Sequence, residues 1–475
     1  MSYIDYSREP RSDIAFVDMK SFYASIECID RGLSPLRTSL CVMSRADNSN
    51  GLILASSPTF KRVFGKSNVG RSYDLPFNIH TRRFNYRVAQ REGWKVTTDF
   101  VNYIESWAKH TLIVSPRMDR YIEKNLQIQH IFHEFASPQD ILTYSIDESF
   151  LDLSSSINYF IPSNELTRKE KLDALADRIQ YRIWKETGII STVGLSNSNP
   201  LLAKLALDND AKYAEKMRAN WSYEDVEEKV WQIKQLTDFW GIGPRMAKRL
   251  QKLGIFTIKT LANSNPDLLK KELGIIGLQL WFHANGVDES NVHQPYIPKA
   301  RGIGNSQILP RDYILQSDIE LVLKEMAEHV ARRLRRKQKK ATTVALFVGY
   351  SKGQSGKPIN AQMKIDPASS NKIISQTVIM LFRKHYKGHI VRQIGVRCDG
   401  LVDQSLEVFS LFDDYEQKEK ENQLEATIDT IRDQFGVLSL QKASSLLEAS
   451  RVAERSQLIG GHSASNVKER KKSYD

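Results

Sequence analysis

The chain has 475 residues and a formal net charge of +12, which excludes a small single-core domain and favours a polyanionic partner without naming one. Its 41% hydrophobic content is ordinary for a globular protein. No run of about 18 apolar residues occurs, and residues 1–11 are polar, so neither a membrane span nor a secretory signal is expected. Cys28, Cys41 and Cys398 are scattered and form no CxxC pair. That argues against a zinc knuckle or a disulfide framework and for a reducing, cytoplasmic setting.

In chain order, the apolar run Ile14-Ala15-Phe16-Val17 predicts a strand that ends on Asp18. Ser21 to Arg31 has helical spacing, with Phe22, Ile26 and Ile29 on one face. Strands are predicted at Leu40 to Ser44 and Gly51 to Ser56, on either side of a polar loop at Arg45 to Asn50. Residues 82–110 mix aromatic and basic residues and take no clear assignment. A helix follows Pro116, with Tyr121, Ile122, Leu126, Ile128 and Phe132 near helical spacing. Leu142 to Ile146 is the next strand and runs into Asp147-Glu148, and Phe150 to Leu153 returns from it.

Lys171 to Lys185 is an amphipathic helix with Leu172, Leu175, Ala176, Ile179, Ile183 and Trp184 as its apolar stripe. Ser191 to Leu195 is a strand, Ser196 to Pro200 a polar turn, and a helix starts at Leu201. The alternation describes an α+β domain to about residue 210. Residues 225–290 read as helices with short turns, and residues 291–300 as a linker containing proline. A second α+β unit spans about 301–402, and the stretch 413–475 is highly charged and then helical.

Asp18, Asp147 and Glu148 each follow an apolar strand. Carboxylates gathered at a sheet edge repel one another, and divalent cations between them reverse that cost. Magnesium prefers oxygen ligands, and two such ions can activate a hydroxyl and stabilise a leaving oxyanion. Taken singly, each residue also reads as an ordinary strand-end carboxylate.

The local sequences narrow this choice. Phe16-Val17-Asp18-Met19-Lys20-Ser21-Phe22-Tyr23-Ala24-Ser25-Ile26-Glu27 resembles the first catalytic motif of Y-family (translesion) DNA polymerases, and Tyr144-Ser145-Ile146-Asp147-Glu148-Ser149-Phe150-Leu151-Asp152 resembles the second. Order and separation also match, and the resemblance continues to Gly460-Gly461-His462, most closely to the UmuC-like branch of Gram-positive bacteria and their mobile elements. The resemblance implies an α+β multidomain fold, a right-hand polymerase with palm, fingers, helical thumb and α+β little finger. It implies boundaries at 1–21 and 111–210 for the palm, 22–110 for the fingers and 211–295 for the thumb. A linker at 296–300, a little finger at 301–402 and a tail at 403–475 complete it.

The resemblance also assigns roles. Asp18, Asp147 and Glu148 would hold two Mg2+ ions, with Mn2+ able to substitute, and Met19 would add its backbone carbonyl. Tyr23 would be the steric gate against a ribose 2′-hydroxyl, with Phe22 beside it. In the segment Ala55 to Gly65, Ser56, Thr59 and Arg62 would bind the triphosphate, and Lys204 of Leu202-Ala203-Lys204-Leu205-Ala206 would neutralise it. Outside these motifs Tyr23 reads as a core aromatic, and Arg62 and Lys204 as solvated charges. Gly65-Lys66-Ser67 ends like a P-loop, but Phe60 stands where the upstream glycine is needed.

For DNA binding, Trp240 to Leu250 has helix-hairpin-helix character. Gly241 and Gly243 permit a tight turn, and Arg245 and Lys248 follow it. A plain αα-hairpin is the alternative. Arg332, Arg333, Arg335, Arg336 and Lys337, with Lys339 and Lys340 beyond, are the densest basic run, placed where the family's little finger meets the duplex. Val408 to Asp413 is similar to a sliding-clamp-binding peptide, with Phe409, Leu411 and Phe412 as anchors. Its leading glutamine is missing, and Gln404 is another possible start.

The expected function is template-directed DNA synthesis with low fidelity and lesion bypass in the DNA damage response. Expected partners are primer–template DNA, dNTPs, a sliding clamp and a recombinase or accessory SOS protein, with the chain monomeric and no membrane engaged. Two rivals are a non-catalytic DNA-binding scaffold of the same fold and a metal-dependent nuclease. The retained carboxylates oppose the first, and the triphosphate and gate residues oppose the second.

Overall fold

In chain order the described residues of the first half form the strands β1 (Ile14–Met19), β2 (Leu40–Ser44), β3 (Leu52–Ser56), β4 (Leu112–Val114), β5 (Ile141–Thr143), β6 (Glu148–Asp152), β7 (Ser191–Ser196) and β8 (Arg218–Asn220). Its helices are α1 (Phe22–Ile29), α2 (Pro58–Phe64), α3 (Tyr86–Glu92), α4 (Thr98–His110), α5 (Met118–Phe132), α6 (Ile157–Phe160), α7 (Arg168–Thr187), α8 (Pro200–Ala206), α9 (Pro244–Lys252), α10 (Ile258–Ala262), α11 (Pro266–Leu273) and α12 (Ile275–Ala284). The computed structural model describes residues 4–44, 51–65, 70–294, 302–405 and 415–464. The chain divides into two compact units, residues 1–296 with 463–475, and residues 297–462.

The first unit is built on a five-stranded sheet in the order β5-β6-β1-β7-β8. β1 runs antiparallel to both β6 and β7. Its side chains alternate between two apolar layers, as the period of a strand requires. Ala15, Val17 and Met19 enter the large core beneath α1, α5 and α7, with Tyr121, Ile131, Leu172 and Ile179. Ile14 and Phe16 face the other way, onto Ala203 and Leu207 of the α8 segment. The same alternation puts Asp18 on the α8 side.

Local sequence fixes the ends of these elements. Thr167 and Glu170 form a reciprocal capping box at the start of α7, and Gly188 closes it with φ of 71°. Asn199 caps α8 and Pro200 takes its first position. Gly194 in β7 is a position of close approach, because a Cβ there would lie 2.0 Å from the Ala203 carbonyl oxygen and 2.6 Å from the Leu207 nitrogen. α8 passes into a π-helical turn at Leu207–Ala211.

A three-stranded sheet, β3-β2-β4, carries α2, α3 and α4 around Phe60, Phe64, Phe77 and Ile104. The unassigned stretch 82–110 is therefore two helices. α9 to α12 form a separate helical cluster around Trp231, Leu250, Leu261 and Trp281. The predicted strand Leu142–Ile146 is shorter than expected, since β5 stops at Thr143 and residues 145–147 form a bend.

The second unit has β9 (Ile303–Tyr313), β10 (Lys339–Tyr350), β11 (Ile359–Ala368) and β12 (Val391–Asp403), with α13 (Gln316–Arg336), α14 (Asn371–His385) and α15 (Tyr415–Phe435). The antiparallel sheet has the order β11-β10-β12-β9. α13 and α14 cover one face through Leu323, Val330, Val378 and Phe382. Residues up to 462, read in part from sequence as a tail, belong to this unit.

Gly194→Ala should unfold at lower temperature, with a loss of roughly 2–4 kcal/mol from overpacking. Thermal or urea denaturation checks this, and an unchanged midpoint would mean that α8 does not rest on β7.

Candidate active site

Buried strand β1 delivers Asp18 to the sheet edge, where it lies opposite Glu148 of β6 and Thr192 of β7. Asp147 occupies the bend before β6, and its carbonyl accepts the Met19 N–H at 3.0 Å. Ser145 tightens this bend. Its hydroxyl donates to Asp147 Oδ1 at 2.8 Å and accepts the Glu148 N–H at 3.1 Å. The three carboxylates thus arise from two strands and one turn fixed by register.

Their electrostatics are strained. Loss of hydration pushes the Asp18 carboxyl up to about 7, repulsion from Asp147 and Glu148 adds to the shift, and Lys212 and Lys204 oppose it. Burial also raises Asp147, against the hydrogen bond from Ser145. The donors are all oxygens and carry negative charge, the chemistry a hard divalent cation requires, so the residues fit such ions. Among the described residues, no group of three His, Cys, Asp or Glu is already closed around an ion-sized gap. Glu148 is turned onto Lys204, Oε1 to Nζ 3.0 Å.

Asp18 and Asp147 open onto a cavity of about 600 Å³. Met19, Phe22, Tyr23 and Ser56 line it as well. Tyr23 packs edge-tilted against Phe22, with ring centroids 5.8 Å apart. Burial and the nearby Asp147 raise its phenol.

Other predicted site residues lie elsewhere. Thr59 is buried, and its hydroxyl donates to the Leu36 carbonyl at 2.6 Å, so it anchors α2. Arg62 is exposed and donates to Thr59 Oγ1 at 3.4 Å. Neither lines the cavity. Lys204 is buried, pairs with Glu148 and with Asp208 at 3.3 Å, and lies over the Phe16 ring at 4.5 Å. Burial alone would lower its ammonium, but Asp208 and Glu148 outweigh this and raise it.

Three lysines that the motif reading left without a role line the cavity instead: Lys20, Lys61 and Lys212. Lys61 donates to Ser21 Oγ at 3.2 Å, and burial lowers both Lys20 and Lys61 while Asp18 draws them up. Lys212 pairs with Asp208 at 2.7 Å and keeps a partly exposed head. Lys20 and Lys61 stood beside the quoted motif residues, and the phase of α2 selects Lys61 over Arg62. Lys212 follows Lys204 by eight residues, and the π turn between them was not legible as a change of face.

Two further predicted groups lie outside this cavity. At the Trp240–Gly243 turn, Gly241 has φ of 94°, Pro244 starts α9, and Arg245 and Lys248 are exposed while Ala247 and Leu250 are buried. In the second unit, most of the basic run is engaged with α15 or with its own sheet. Arg335 pairs with Asp429 at 2.7 Å and Glu425 at 3.0 Å, and Arg332 and Arg336 pair with Asp433. Arg333 donates to the Gly304 carbonyl at 2.7 Å. Lys337 is exposed.

The sheet face away from α13 and α14 carries Asn360, Gln362 and Lys364 of β11, Phe347 of β10, and Gln393 and Arg397 of β12, aligned by register. Sequence periodicity alone did not single out this polar face. Phe409, Leu411 and Phe412 lie outside the described residues. No helix among the described residues is long and apolar enough to cross a membrane.

Comparison with known proteins places these features in a family context. Residues 85–208 match the impB/mucB/samB family, residues 300–411 its C-terminal domain and residues 223–255 the IMS family HHH motif. The chain is 36% identical to UvrX of Bacillus subtilis (strain 168), over 97% of this chain and 99% of that protein. It is 31% identical to DNA polymerase IV 2 of the same organism and 30% identical to DNA polymerase IV 2 of Halalkalibacterium halodurans, each over 94% of this chain and 98% of the relative. A solved Y-family DNA polymerase chimera of Dbh and Dpo4 shares the fold, with a TM-score of 0.57 at 19% identity, covering 82% of this chain and 99% of that one.

The raised Asp18 carboxyl has a signed consequence. Between about pH 4 and 7 the folded state keeps a proton that the unfolded chain has lost, so the penalty grows as pH rises and is complete above about 7. Asp18→Asn should therefore stabilise the metal-free protein by roughly 2–4 kcal/mol at pH 8, with the gain vanishing below about pH 4. Urea denaturation in chelator across this range measures it, and a gain independent of pH would contradict the assignment.

Proposed function

The chain belongs to the impB/mucB/samB family of Y-family DNA polymerases, and on that premise we propose that it extends a primer 3′-hydroxyl with dNTPs on a DNA template, at low fidelity and past lesions. The observation that carries this reading is the meeting of Asp18, Asp147, Tyr23 and three lysines on one cavity. A nuclease has no use for a gate against ribose or for several cations facing a triphosphate.

Asp18, Asp147, Glu148 and the Met19 carbonyl are the residues suited to hold the divalent ions. When bound, two Mg2+ or Mn2+ ions activate the attacking hydroxyl and offset charge on the leaving pyrophosphate. The protein's own part is positioning and charge. Lys212 and Lys61 face the cavity and are suited to draw the triphosphate, aided by Ser56 and Lys20. Lys204 acts one step back, orienting Glu148 through their ion pair. Tyr23, flanked by Phe22, takes up the space of a 2′-hydroxyl.

The five-stranded sheet with α5 to α8 corresponds in this reading to the palm, the β3-β2-β4 sheet with its helices to the fingers, and α9 to α12 to the thumb. The Gly241–Gly243 turn, with Arg245 and Lys248, would grip a backbone phosphate without reading sequence. The second unit would serve as the little finger. Its open sheet face, with Lys364, suits duplex contact better than Arg332, Arg333, Arg335 and Arg336, which already have partners; Arg397 on that face pairs with Asp399 of its own strand. Docking on a sliding clamp through Phe409, Leu411 and Phe412, and an accessory SOS partner, rest on sequence resemblance alone.

Primer extension on undamaged and abasic templates tests the reading. Wild type should extend past the lesion, and Asp147→Ala should lose at least about 10³-fold in rate. Lys212→Ala should raise the KM for dNTP about 10- to 100-fold, and more than Lys204→Ala does. Extension by Asp147→Ala at the wild-type rate would overturn the site, and the reverse order of the lysines would return the phosphate role to Lys204.

A further inference from the structure

Tyr23 and Glu27 stand one turn apart on α1, and Arg117 and Tyr121 stand one turn apart where α5 begins. Side chains at that spacing share a helix face. The two pairs interlock. The Tyr121 ring, fully buried, stacks on Tyr23 with centroids 4.3 Å apart and planes 12° from parallel. The Tyr121 hydroxyl donates to Glu27 Oε1 at 2.8 Å, and Arg117 Nε donates to the same oxygen at 2.9 Å. Glu27 is itself fully buried and also holds Arg31. Arg117 extends the network to Asp30 at 2.7 Å.

A buried carboxylate with this many donors is costly to move, since removing one partner leaves the others unpaired. Its effect here is to fix the plane of the Tyr121 ring. That ring is a wall behind Tyr23, which packs against the apolar core on one side, neighbours Phe22 and lines the cavity.

We propose that Tyr121, anchored by Glu27, is a positioning residue for sugar selection: it sets how far the Tyr23 ring projects into the nucleotide cavity. The proposal rests on the reading of Tyr23 as the gate against a 2′-hydroxyl. A gate excludes one oxygen atom, so a retreat of well under a ring's width opens it. Removing the wall lets Tyr23 withdraw from the cavity, and placement errors of about 1 Å have large effects on rate.

The test is the ratio of kcat/KM for ribonucleotide against deoxyribonucleotide insertion opposite the same template base. Tyr23→Ala should raise this ratio. Tyr121→Leu, which removes the wall, should raise it about tenfold or more, and Tyr121→Phe, which keeps the ring and loses the anchor, should give a smaller rise. The double variant Tyr23→Ala with Tyr121→Leu should exceed Tyr23→Ala alone by nothing, because the effect passes through Tyr23. If Tyr121→Leu does not fold, Tyr121→Phe and its double variant with Tyr23→Ala carry the test. A wild-type ratio in the Tyr121 variants, with a raised ratio in Tyr23→Ala, would overturn the positioning role alone. An unchanged ratio in Tyr23→Ala would overturn the gate itself, and additive effects in the double variant would overturn the coupling.

Discussion

Three carboxylates held together at one sheet edge are the constraint on which the rest of the first unit turns. Asp18 and Glu148 are cross-strand partners, and Asp147 is tied to β1 through its carbonyl and the Met19 N–H. Register fixes their backbones side by side, so their mutual repulsion is built into the fold even with Glu148 turned onto Lys204. Loss of hydration, with repulsion from Asp147 and Glu148 added, raises the Asp18 carboxyl, and cations offset part of the charge. Lys204 answers Glu148 from beneath the sheet, over the Phe16 ring. Lys20, Lys61 and Lys212 answer from the cavity side. In the proposed reading the remainder is left to divalent ions, and the strain of the metal-free site would then be a source of affinity.

The α8 segment connects the two groups of cations. Gly194 lets it lie directly on β7, which brings Lys204 under the carboxylates. The π turn at Leu207–Ala211 then widens the helix before Lys212. Such turns add one residue without ending the hydrogen-bonded run, and they recur at functional sites. Asp208 sits within this turn and pairs with both lysines. One segment thereby supplies a buried counter-ion to Glu148 and a partly exposed cation to the cavity.

Much of this was legible in the sequence. The apolar run ending on Asp18 and the stripe of α7 each report a local rule, so strands and helices emerged from pattern, whereas the carboxylates stood out through the resemblance of their two motifs. What stayed hidden depended on geometry between elements. Helix phase, and not charge, puts Lys61 and not Arg62 on the cavity. A π turn, which no residue type announces, precedes Lys212, which lines the cavity where Lys204 does not. The basic run at the end of α13 looked free because its acidic partners, Glu425, Asp429 and Asp433, lie about a hundred residues away. The polar sheet face of the second unit was missed for a related reason: its side chains come from three strands far apart in sequence, and only their register brings them onto one surface. Tyr121 read as one position of a helical stripe, and it is buried there; the positioning role proposed for it comes from what it touches.

The most direct test of the central claim is the shift in unfolding temperature on adding Mg2+ to the chelated protein at pH 8, in wild type and in Asp147→Asn. If the carboxylates are a strained site that divalent ions relieve, Mg2+ raises the midpoint of wild type by several degrees and leaves Asp147→Asn almost unmoved. Equal shifts in both proteins would contradict the account, because the ions would then be acting elsewhere.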